Sequence, residues 1–259
     1  MKKIFLRLRK SIFKKFGLQV IPLENKPLQY HYPEATEFEI NLAKLCSKFS
    51  LTGYDRLFCL IRAIEHINYN NLEGDFVECG VWKGGNLILF QKMIEKLNLK
   101  NKKIYGYDTF EGMSEPTDFD ADTFMGGLKA KEHMSSQPKD INVDNIHAYA
   151  PLDMVKTIYF DNTSENNNLI LIKGKVEDTL KESKNIPERI SILRLDTDWH
   201  ESTKVELEIL YPRLIKNGIL IIDDYGEWSG SRKATDEYFK DKKIAMFKID
   251  RGARLIFKN

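Results

Sequence analysis

The chain has 259 residues, 42% hydrophobic and 30% charged, which is typical of a folded globular protein and excludes an intrinsically disordered one. Because the formal net charge is only +2, no overall positive field favours nucleic acid as a partner. The sequence contains no run of 18 apolar residues, which excludes a transmembrane helix, and its three cysteines lack a CxxC pair or a paired histidine, which fits a protein of the reducing cytoplasm.

Residues 1–34 are predicted to form a basic N-terminal arm. Over residues 1–18, apolar side chains recur between basic ones at roughly helical spacing, which predicts a short amphipathic helix. Two interpretations of this helix are open. It contacts an anionic membrane surface peripherally, or it packs against the body of the protein or against a second subunit in a homodimer.

Residues 35–259 are predicted to form a single α/β domain. Two helices are expected first, over residues 35–49 and 53–69, with Thr52 as the N-cap of the second. Apolar runs and helical stretches then alternate, which is typical of a mostly parallel sheet with helices on both faces. The seven predicted strands cover residues 75–79, 103–107, 169–173, 190–195, 218–222, 243–249 and 253–257.

A glycine-rich turn follows the first predicted strand, in residues 78–85 (ECGVWKGG). Glycines at such a turn let the backbone approach a ligand, and the next helix presents free N–H groups there. The spacing matches neither the dinucleotide fingerprint nor a P-loop. Gly80, Gly84 and Gly85 are therefore candidate ligand-binding residues that need support from neighbouring motifs.

The second strand is followed by an acidic motif, YDTF, in residues 107–110. Asp108 at this strand tip, together with Thr109, is placed to accept the hydroxyls of a ribose, and Phe110 to pack against an adenine. The alternative is a helix-capping aspartate beside a core phenylalanine. After the third strand, Val176 and Glu177 are candidates for contacts to the edge of the base.

Residues 112–150 form an unusually long connection between the second and third strands. They are rich in Gly, Pro, Asp and Ser, whereas a crossover needs only about a dozen residues. Long irregular segments at the carboxyl ends of strands are often binding loops. We therefore expect this 112–150 segment to be a lid over the ligand site.

Carboxylates follow two further strands, at Asp196 and at the pair Asp223 and Asp224. A helix predicted over residues 202–215 joins these strands in one crossover, so the strands should be neighbours with their tips about 5 Å apart. Few cations occur in the local sequence, and a bound cation would neutralise the carboxylates. Oxygen ligands favour Mg²⁺, with Mn²⁺ or Ca²⁺ as alternatives. Asp198 and His200 lie close enough in sequence to be the base of a reaction there.

Four segments together, VECGVWKGGN, YDTFEGM, LRLDTDWHEST and GILIIDDYGEWSGSRKATDEYF, resemble the macrocin O-methyltransferase (TylF/MycF/NovP) family. The resemblance covers about residues 50–240 in the same order. It implies a Rossmann-like class I methyltransferase fold, S-adenosylmethionine as the methyl donor with S-adenosylhomocysteine as its product, a divalent metal ion, and a sugar hydroxyl as the acceptor.

The resemblance also implies roles for particular residues. The donor would be contacted by Glu78, Gly80 and Asp108, and the metal ion would be held by Asp196, Asp223 and Asp224. Asp198 or Asp196 would be the base, and the 112–150 segment would be the lid. Trp199, Tyr225 and Trp228 flank the metal motif and either stack on the acceptor sugar or pack in the core. His200 stands where many relatives have tyrosine, which leaves the acceptor open.

The sequence thus predicts a metal-assisted, S-adenosylmethionine-dependent O-methyltransferase. Its acceptor is expected to be a sugar or nucleotide-linked sugar, in bacterial capsule, lipopolysaccharide or other glycan biosynthesis. The expected location is the cytoplasm, with peripheral membrane contact through the basic arm as one reading. Two alternatives are an NAD(P)-dependent sugar oxidoreductase, since fold alone does not determine chemistry, and a noncatalytic scaffold of a glycan pathway.

Overall fold

The structure of the protein is a computed structural model that describes residues 26–164 and 168–259. The amphipathic helix predicted over residues 1–18, and the membrane and dimer contacts predicted for it, lie outside the described residues. The chain divides into two compact units, one ending at Asn41 and the other covering residues 42–259. Within the described ranges, no helix combines the length and the apolar character that crossing a membrane requires.

The described part of the first unit contains a short helix, α1 (Leu28–His31), and the start of α2 (Glu37–Cys46). A reciprocal cap begins α2, because the Thr36 N–H donates to Glu39 Oε2 at 2.7 Å and the Glu39 N–H donates to Thr36 Oγ1 at 3.3 Å. This pattern of threonine and glutamate three residues apart is a capping box. It fixes the beginning of the helix predicted over residues 35–49.

The helix predicted over residues 53–69 is present as α3 (Tyr54–Tyr69), with one apolar face buried. Its N-cap is Gly53, so the prediction of Thr52 as the cap was wrong. The Thr52 hydroxyl instead accepts a hydrogen bond from the guanidinium of Arg194 at 2.9 Å. A buried guanidinium is the stronger donor and holds the threonine away from the helix end.

Strands and helices alternate through the second unit. The strands are β1 (Asp75–Cys79), β2 (Ile104–Asp108), β3 (Ala121–Asp122), β4 (Leu128–Lys129), β5 (Leu169–Lys173), β6 (Ile190–Leu195), β7 (Leu214–Ile222), β8 (Met246–Lys248) and β9 (Arg254–Phe257). The further helices are α4 (Gly85–Leu97), α5 (Ala130–Ser135), α6 (Leu152–Asn162), α7 (Val176–Thr179), α8 (His200–Ile209) and α9 (Ser229–Phe239).

Seven of these strands form one sheet, in the order β5-β2-β1-β6-β7-β9-β8. The first five in that order run parallel to one another, and β9 and β8 close the sheet as an antiparallel hairpin. Strand β6 lies in the middle of the sheet and is buried along its whole length. The mostly parallel seven-stranded sheet predicted from the sequence is confirmed.

The helix before β7 ends earlier than predicted. The helix expected over residues 202–215 is α8, which already ends at Ile209. A 3₁₀ turn, Tyr211–Arg213, follows, and β7 begins at Leu214. Pro212 in this turn has no N–H to continue the helix, which explains the early end.

The 112–150 segment has secondary structure of its own. Its strands β3 and β4 pair antiparallel, with Ala121 opposite Lys129, and helix α5 follows directly. Asp122 also forms an isolated bridge with Trp228, just before α9. The segment is therefore fastened to the body of the second unit, close to the carboxyl end of β7.

Candidate active site

The carboxyl ends of four parallel strands meet at one edge of the sheet. Cys79 of β1 lies opposite Tyr107 of β2 on one side and opposite Leu195 of β6 on the other, and Leu195 lies opposite Ile222 of β7. The ladder continues one residue further, since the Asp196 N–H donates to the Cys79 carbonyl at 2.8 Å. The glycine turn and the acidic motifs that follow these strands are consequently neighbours.

A cleft opens at this edge. Its walls come from the glycine turn, the acidic motifs, the start of α7 and both ends of the 112–150 segment. Of the predicted site residues, those that line it are Gly80, Asp108, Thr109, Val176, Glu177, Asp196, Asp198, Asp223, Asp224 and Trp228. Such a concave site at the carboxyl ends of parallel strands is where α/β proteins usually bind ligands.

Within the glycine turn, Gly80 makes the closest contact with the neighbouring backbone. Its backbone has φ +84°, and a Cβ there would lie 1.8 Å from the Asp196 carbonyl oxygen. Gly84 and Gly85 serve packing instead, because a Cβ would meet Val155 at the first and the Cys46 carbonyl at the second. Gly84 and Gly85 are not among the residues that line the cleft.

Asp108 holds the glycine turn in place. One of its carboxylate oxygens accepts the N–H groups of Val81 at 2.7 Å and Trp82 at 3.0 Å, and the other accepts the Phe110 N–H at 2.6 Å. Asp108 therefore binds the backbone of the turn and also lines the cleft. Phe110 is 2% exposed and is not among the residues that line the cleft.

Glu78 is almost completely buried below the turn. Its Oε1 accepts hydrogen bonds from Asn86 at 2.8 Å and from Arg194 at 2.7 Å. Its Oε2 has no hydrogen-bond partner among the described residues. Burial raises the pKa of Glu78 to about 7, against the opposing effect of the Arg194 charge. A buried acceptor without a donor is unusual in a folded protein.

Arg194 connects the glycine turn to the acidic motifs. It is 2% exposed, and besides Glu78 and Thr52 its guanidinium donates to Asp196 Oδ2 and to Asp223 Oδ1, both at 2.6 Å. Arg194 was not predicted as a site residue, and the expectation that few cations lie near the acids was wrong. An arginine inside the otherwise apolar run of β6 was the available signal, because a buried guanidinium requires acidic partners.

Asp223 is also bound by a second arginine. The Arg56 guanidinium, on α3, donates to Asp223 Oδ2, to Glu227 and to Asp250, the last at 2.7 Å. Both carboxylate oxygens of Asp223 are therefore engaged by arginines. Nothing in the sequence around Arg56 indicates this contact, since 167 residues separate it from Asp223.

Three carboxylates come together at the tips of β6 and β7. Asp196, Asp198 and Asp224 each offer an oxygen atom, and these atoms lie within 4.8 Å of one another. The Asp198 backbone has φ +64°, and its N–H donates to Asp224 Oδ2 at 3.1 Å. This geometry turns the Asp198 side chain into the group, where an extended backbone would direct it elsewhere.

Desolvation dominates the electrostatics of this group. It raises the pKa of Asp196 and of Asp224 well above the ordinary value, and the pKa of Asp198 to about 7. The neighbouring carboxylates raise the pKa of Asp196 and Asp224 further, whereas Arg194 lowers that of Asp196. Such a group holds more negative charge than its surroundings neutralise, which is the situation that a bound cation relieves.

Glu206 supports the loop between the two acids from below. This residue of α8 is fully buried, and both of its carboxylate oxygens accept from the Thr197 hydroxyl, at 3.0 and 3.2 Å. Burial raises the pKa of Glu206 well above its ordinary value. Thr197 stands between Asp196 and Asp198, so this contact fixes the backbone that carries both.

Three of the remaining predicted residues do not line the cleft. The His200 ring lies between Glu201 and Glu237, with nitrogen–oxygen distances of 3.0 and 3.3 Å. Trp199 is buried, and its indole N–H donates to the Ser114 carbonyl. The Tyr225 hydroxyl donates to Asp236 at 2.9 Å. Sequence adjacency brought these residues into the prediction, whereas their side chains serve packing and surface contacts.

Comparison with known proteins gives consistent results. A family model described as Macrocin-O-methyltransferase (TylF) matches residues 39–256. Demethyldecarbamoylnovobiocin O-methyltransferase of Streptomyces niveus is 27% identical over 205 residues, which cover 78% of this chain and 72% of that protein. An 8-demethyl-8-(2,3-dimethoxy-alpha-L-rhamnosyl)-tetracenomycin-C 4'-O-methyltransferase of Streptomyces olivaceus is 29% identical over 176 residues, which cover 68% of this chain and 62% of that protein.

Among solved structures, the fold is similar to that of the O-methyltransferase NovP. The TM-score is 0.70 at 24% sequence identity, and the match covers 82% of each chain. This likeness shows a Rossmann-like methyltransferase fold.

Proposed function

This chain belongs to the macrocin O-methyltransferase (TylF) family and is an S-adenosylmethionine-dependent O-methyltransferase, and on that premise we propose that it methylates a sugar hydroxyl with the assistance of a divalent metal ion. The observation that carries the proposal is the meeting of the turn at Gly80 with the carboxylates of Asp196, Asp198 and Asp224 in one cleft. The relative from Streptomyces olivaceus acts, by its name, on a rhamnosyl compound, which supports the sugar acceptor.

The donor fits the side of the cleft next to the glycine turn. Glu78 Oε2 and Asn86 Oδ1 are buried acceptors without a hydrogen-bond partner among the described residues. The ammonium group of S-adenosylmethionine carries the N–H groups that these two oxygens lack. Asp108 and Thr109 line the cleft beside them and are assigned to the ribose. Val176 and Glu177, at the start of α7, are assigned to the edge of the base.

The three neighbouring carboxylates fit a hard divalent cation. Mg²⁺ prefers oxygen ligands, and Asp196, Asp198 and Asp224 offer three oxygens within 4.8 Å of one another. We assign the ion to Asp196 and Asp224. Asp223, the third ligand expected from the sequence, remains a candidate. In this structure its two carboxylate oxygens accept hydrogen bonds from Arg56 and Arg194.

In the proposed reaction the chain orients the acceptor and removes its proton. Asp198 is assigned as the base, so the acceptor hydroxyl passes its proton to an Asp198 carboxylate oxygen as the new carbon–oxygen bond forms. The sulfonium donor would supply the methyl group and leave as neutral S-adenosylhomocysteine, and a metal ion held by Asp196 and Asp224 would favour the ionised form of the hydroxyl. Thr197 and Glu206 keep Asp198 in position, and Trp228 offers an aromatic wall for the sugar.

The identity of the acceptor is the finer part of the proposal. The sequence predicts an acceptor of bacterial capsule, lipopolysaccharide or other glycan biosynthesis, whereas the two relatives are named for novobiocin and tetracenomycin compounds. Both classes present a sugar hydroxyl. A panel of acceptors should therefore include antibiotic glycosides, nucleotide-linked sugars and free glycans.

The decisive experiment is mass spectrometry of products after incubation with methyl-labelled S-adenosylmethionine, Mg²⁺ and this panel. We expect label on a sugar oxygen of at least one acceptor, abolished by a chelator and restored by added Mg²⁺. Undiminished transfer in excess chelator would remove the metal from the proposal.

A binding measurement separates the metal site from the reaction. Calorimetric titration of Mg²⁺ into the wild-type protein and into Asp224→Asn should show binding that is lost in the variant. Asp178→Asn is the matched control, because Asp178 is an exposed aspartate whose described contact is with Lys181 on the surface. Equal Mg²⁺ binding by wild type and Asp224→Asn would contradict the assignment.

A further inference from the structure

Asp120 is a completely buried carboxylate in the 112–150 segment. Its Oδ1 accepts the backbone N–H of His200, the first residue of α8, at 2.8 Å. Its Oδ2 accepts the N–H and the hydroxyl of Thr117, at 2.6 and 2.8 Å. The residue in the N-cap position of α8, Trp199, makes no side-chain cap. A residue 80 positions earlier in the chain therefore supplies the cap of this helix.

The start of α9 reaches the same carboxylate. A Cβ on Gly230 would lie 1.7 Å from Asp120 Oδ1 and 2.9 Å from the His200 nitrogen, so only glycine fits at this contact. The adjacent Ser229 hydroxyl accepts the Ala121 N–H at 3.0 Å and donates to the Phe119 carbonyl at 2.5 Å. The helices that follow the two acid-bearing strands, β6 and β7, thus meet at Asp120.

Further contacts join the 112–150 segment to the helix starts close to the cleft. The Thr123 N–H donates to the Glu227 carbonyl at 2.8 Å, and the Trp199 indole N–H donates to the Ser114 carbonyl at 2.9 Å. Ser114 and Glu227 both line the cleft. The seating of the 112–150 segment on α8 and α9 consequently decides where the wall of the cleft lies relative to the acids.

We propose that Asp120 is a positioning residue that seats the 112–150 segment on the N-termini of α8 and α9, and so builds the acceptor wall of the cleft against Asp196 and Asp198. A carboxylate is suited to this place because helix N-termini favour negative charge. Buried charge is costly unless it is hydrogen-bonded, so the segment gains the full set of Asp120 contacts only when seated. The role of the cleft as an acceptor site rests on the proposed function, whereas the contact of Asp120 with α8 does not depend on it.

The contact is tested by hydrogen exchange of wild type, Asp120→Ala and Asp140→Ala. Asp140 is the matched control, since it is an exposed aspartate of the same segment whose carboxylate bonds to Asn142 within its own turn. We expect Asp120→Ala to speed exchange at least tenfold in peptides from residues 113–134, with β6 unchanged. Asp140→Ala should behave as wild type. Unchanged exchange in Asp120→Ala would overturn the proposal.

The functional consequence is tested by separating donor binding from transfer. In Asp120→Ala, calorimetric affinity for S-adenosylhomocysteine should stay within threefold of wild type, while transfer to the acceptor found with the panel falls at least thirtyfold in kcat/KM. Parallel losses in both measurements, or transfer within twofold of wild type, would overturn the proposal. Asp120→Asn keeps an oxygen for the His200 N–H and should recover part of the loss, and it replaces Asp120→Ala if the alanine variant does not fold.

A double variant identifies the contact through which Asp120 acts. Gly230→Ala places a methyl group against the carboxylate and should reduce transfer by itself, with affinity for S-adenosylhomocysteine retained. In Asp120→Ala/Gly230→Ala the two losses should not multiply, because both substitutions break the same contact. Multiplying losses would show that the two residues act separately and would contradict the proposal.

Failure of this proposal and of the proposed function remain distinguishable. If wild type binds no S-adenosylhomocysteine and methylates no acceptor, the proposed function fails, and the exchange experiment still decides whether Asp120 seats the segment. If wild type transfers the methyl group and Asp120→Ala transfers it equally well, only the role of Asp120 fails.

Discussion

The two ends of the central sheet treat buried charge in opposite ways. At the amino ends of the strands, the Lys102 ammonium is 8% exposed and donates to the carbonyls of Leu72 and Gly74, both at 2.6 Å. The hydrogen bonds of this charge all go to neutral oxygens, and the Asp75 and Glu73 carboxylates oppose the effect of its burial only in part. At the carboxyl ends, the Arg194 guanidinium shares its hydrogen bonds among Glu78, Asp196 and Asp223. There the positive charge is surrounded by negatively charged carboxylates.

This contrast separates a structural end of the sheet from a functional end. The amino end is complete in itself, because backbone carbonyls satisfy the ammonium. The carboxyl end keeps carboxylates at Asp196, Asp198 and Asp224 whose pKa values are raised by burial. A fold selected for stability alone would not concentrate such groups, and perturbed acids in a cleft are typical of catalytic sites.

Removing the base should have the largest effect. We expect Asp198→Asn to lower kcat about 10²–10⁴-fold, the range for loss of general-base catalysis. The same variant should unfold at a higher temperature than wild type, because it removes one carboxylate from a group of mutually repelling ones. Steady-state kinetics and a thermal scan measure the two effects, with Asp178→Asn as the exposed control. Lower activity together with lower stability would contradict the view that this end gives up stability for function.

Arg194→Met should have the next largest effect. It leaves Glu78, Asp196 and Asp223 without their shared cation, and breaking buried charge pairs in this way costs about 3–5 kcal/mol. Arg189→Met is the matched control at the other end of the same strand, since Arg189 pairs with Glu73 on the exposed surface and such pairs contribute about 0–1 kcal/mol. Urea unfolding measures both. A similar loss in the two variants would remove the distinction between the ends.

Gly80→Ala should follow, with a loss of about 2–4 kcal/mol, since it combines a left-handed φ with overpacking against the Asp196 carbonyl. Gly126→Ala isolates the first contribution, because Gly126 has φ +71° and no atom of residues 26–164 or 168–259 lies within 4 Å of an added Cβ. A loss of about 1 kcal/mol is expected there. Urea unfolding compares the two, and calorimetry should show weaker binding of S-adenosylhomocysteine only in Gly80→Ala. Equal effects would mean that the close contact with Asp196 is not needed.

Most of the frame that carries the site was predictable from the sequence. The strands predicted over 75–79, 169–173 and 190–195 match β1, β5 and β6 residue for residue. Apolar runs buried on both faces give a clear signal, and glycine or aspartate directly after such a run marks the strand tip. The placement of Asp196 beside Asp223 follows from this local pattern and from the order of the strands.

Contacts that depend on distant parts of the chain were not predictable. Arg56 on α3 binds Asp223, and Asp120 in the 112–150 segment caps α8. The residues next to Arg56 and Asp120 in the sequence give no sign of these partners. Thr52 was assigned to the nearest helix end, whereas Arg194 binds it. His200 was assigned to the site by sequence adjacency, but its ring lies beside Glu201 and Glu237. Local sequence patterns predict the course of the backbone. They do not predict which side chains meet, because that depends on tertiary packing.

Lys102→Met should have the smallest effect and tests the other end of the sheet. Burial lowers the pKa of Lys102 to about 8 from an ordinary value of 10.5. Between pH 8 and 10.5 the unfolded chain therefore binds a proton that the folded chain has released, so wild-type stability should rise with pH across this window. One pKa unit corresponds to about 1.36 kcal/mol, and we expect a rise of about 1–2 kcal/mol across the window because solvent screens part of the full shift.

Lys102→Met should abolish this rise, whereas Lys103→Met, at its exposed neighbour, should keep it because Lys102 is still present. The neutral amine retains two N–H groups for the Leu72 and Gly74 carbonyls, so losing the proton removes the cost of the charge without losing these hydrogen bonds. Urea unfolding at intervals from pH 7 to pH 10.5 measures the difference between the variants. A wild-type stability that falls across the window would mean that the Asp75 and Glu73 charges outweigh burial at Lys102, and the two ends of the sheet would then be alike.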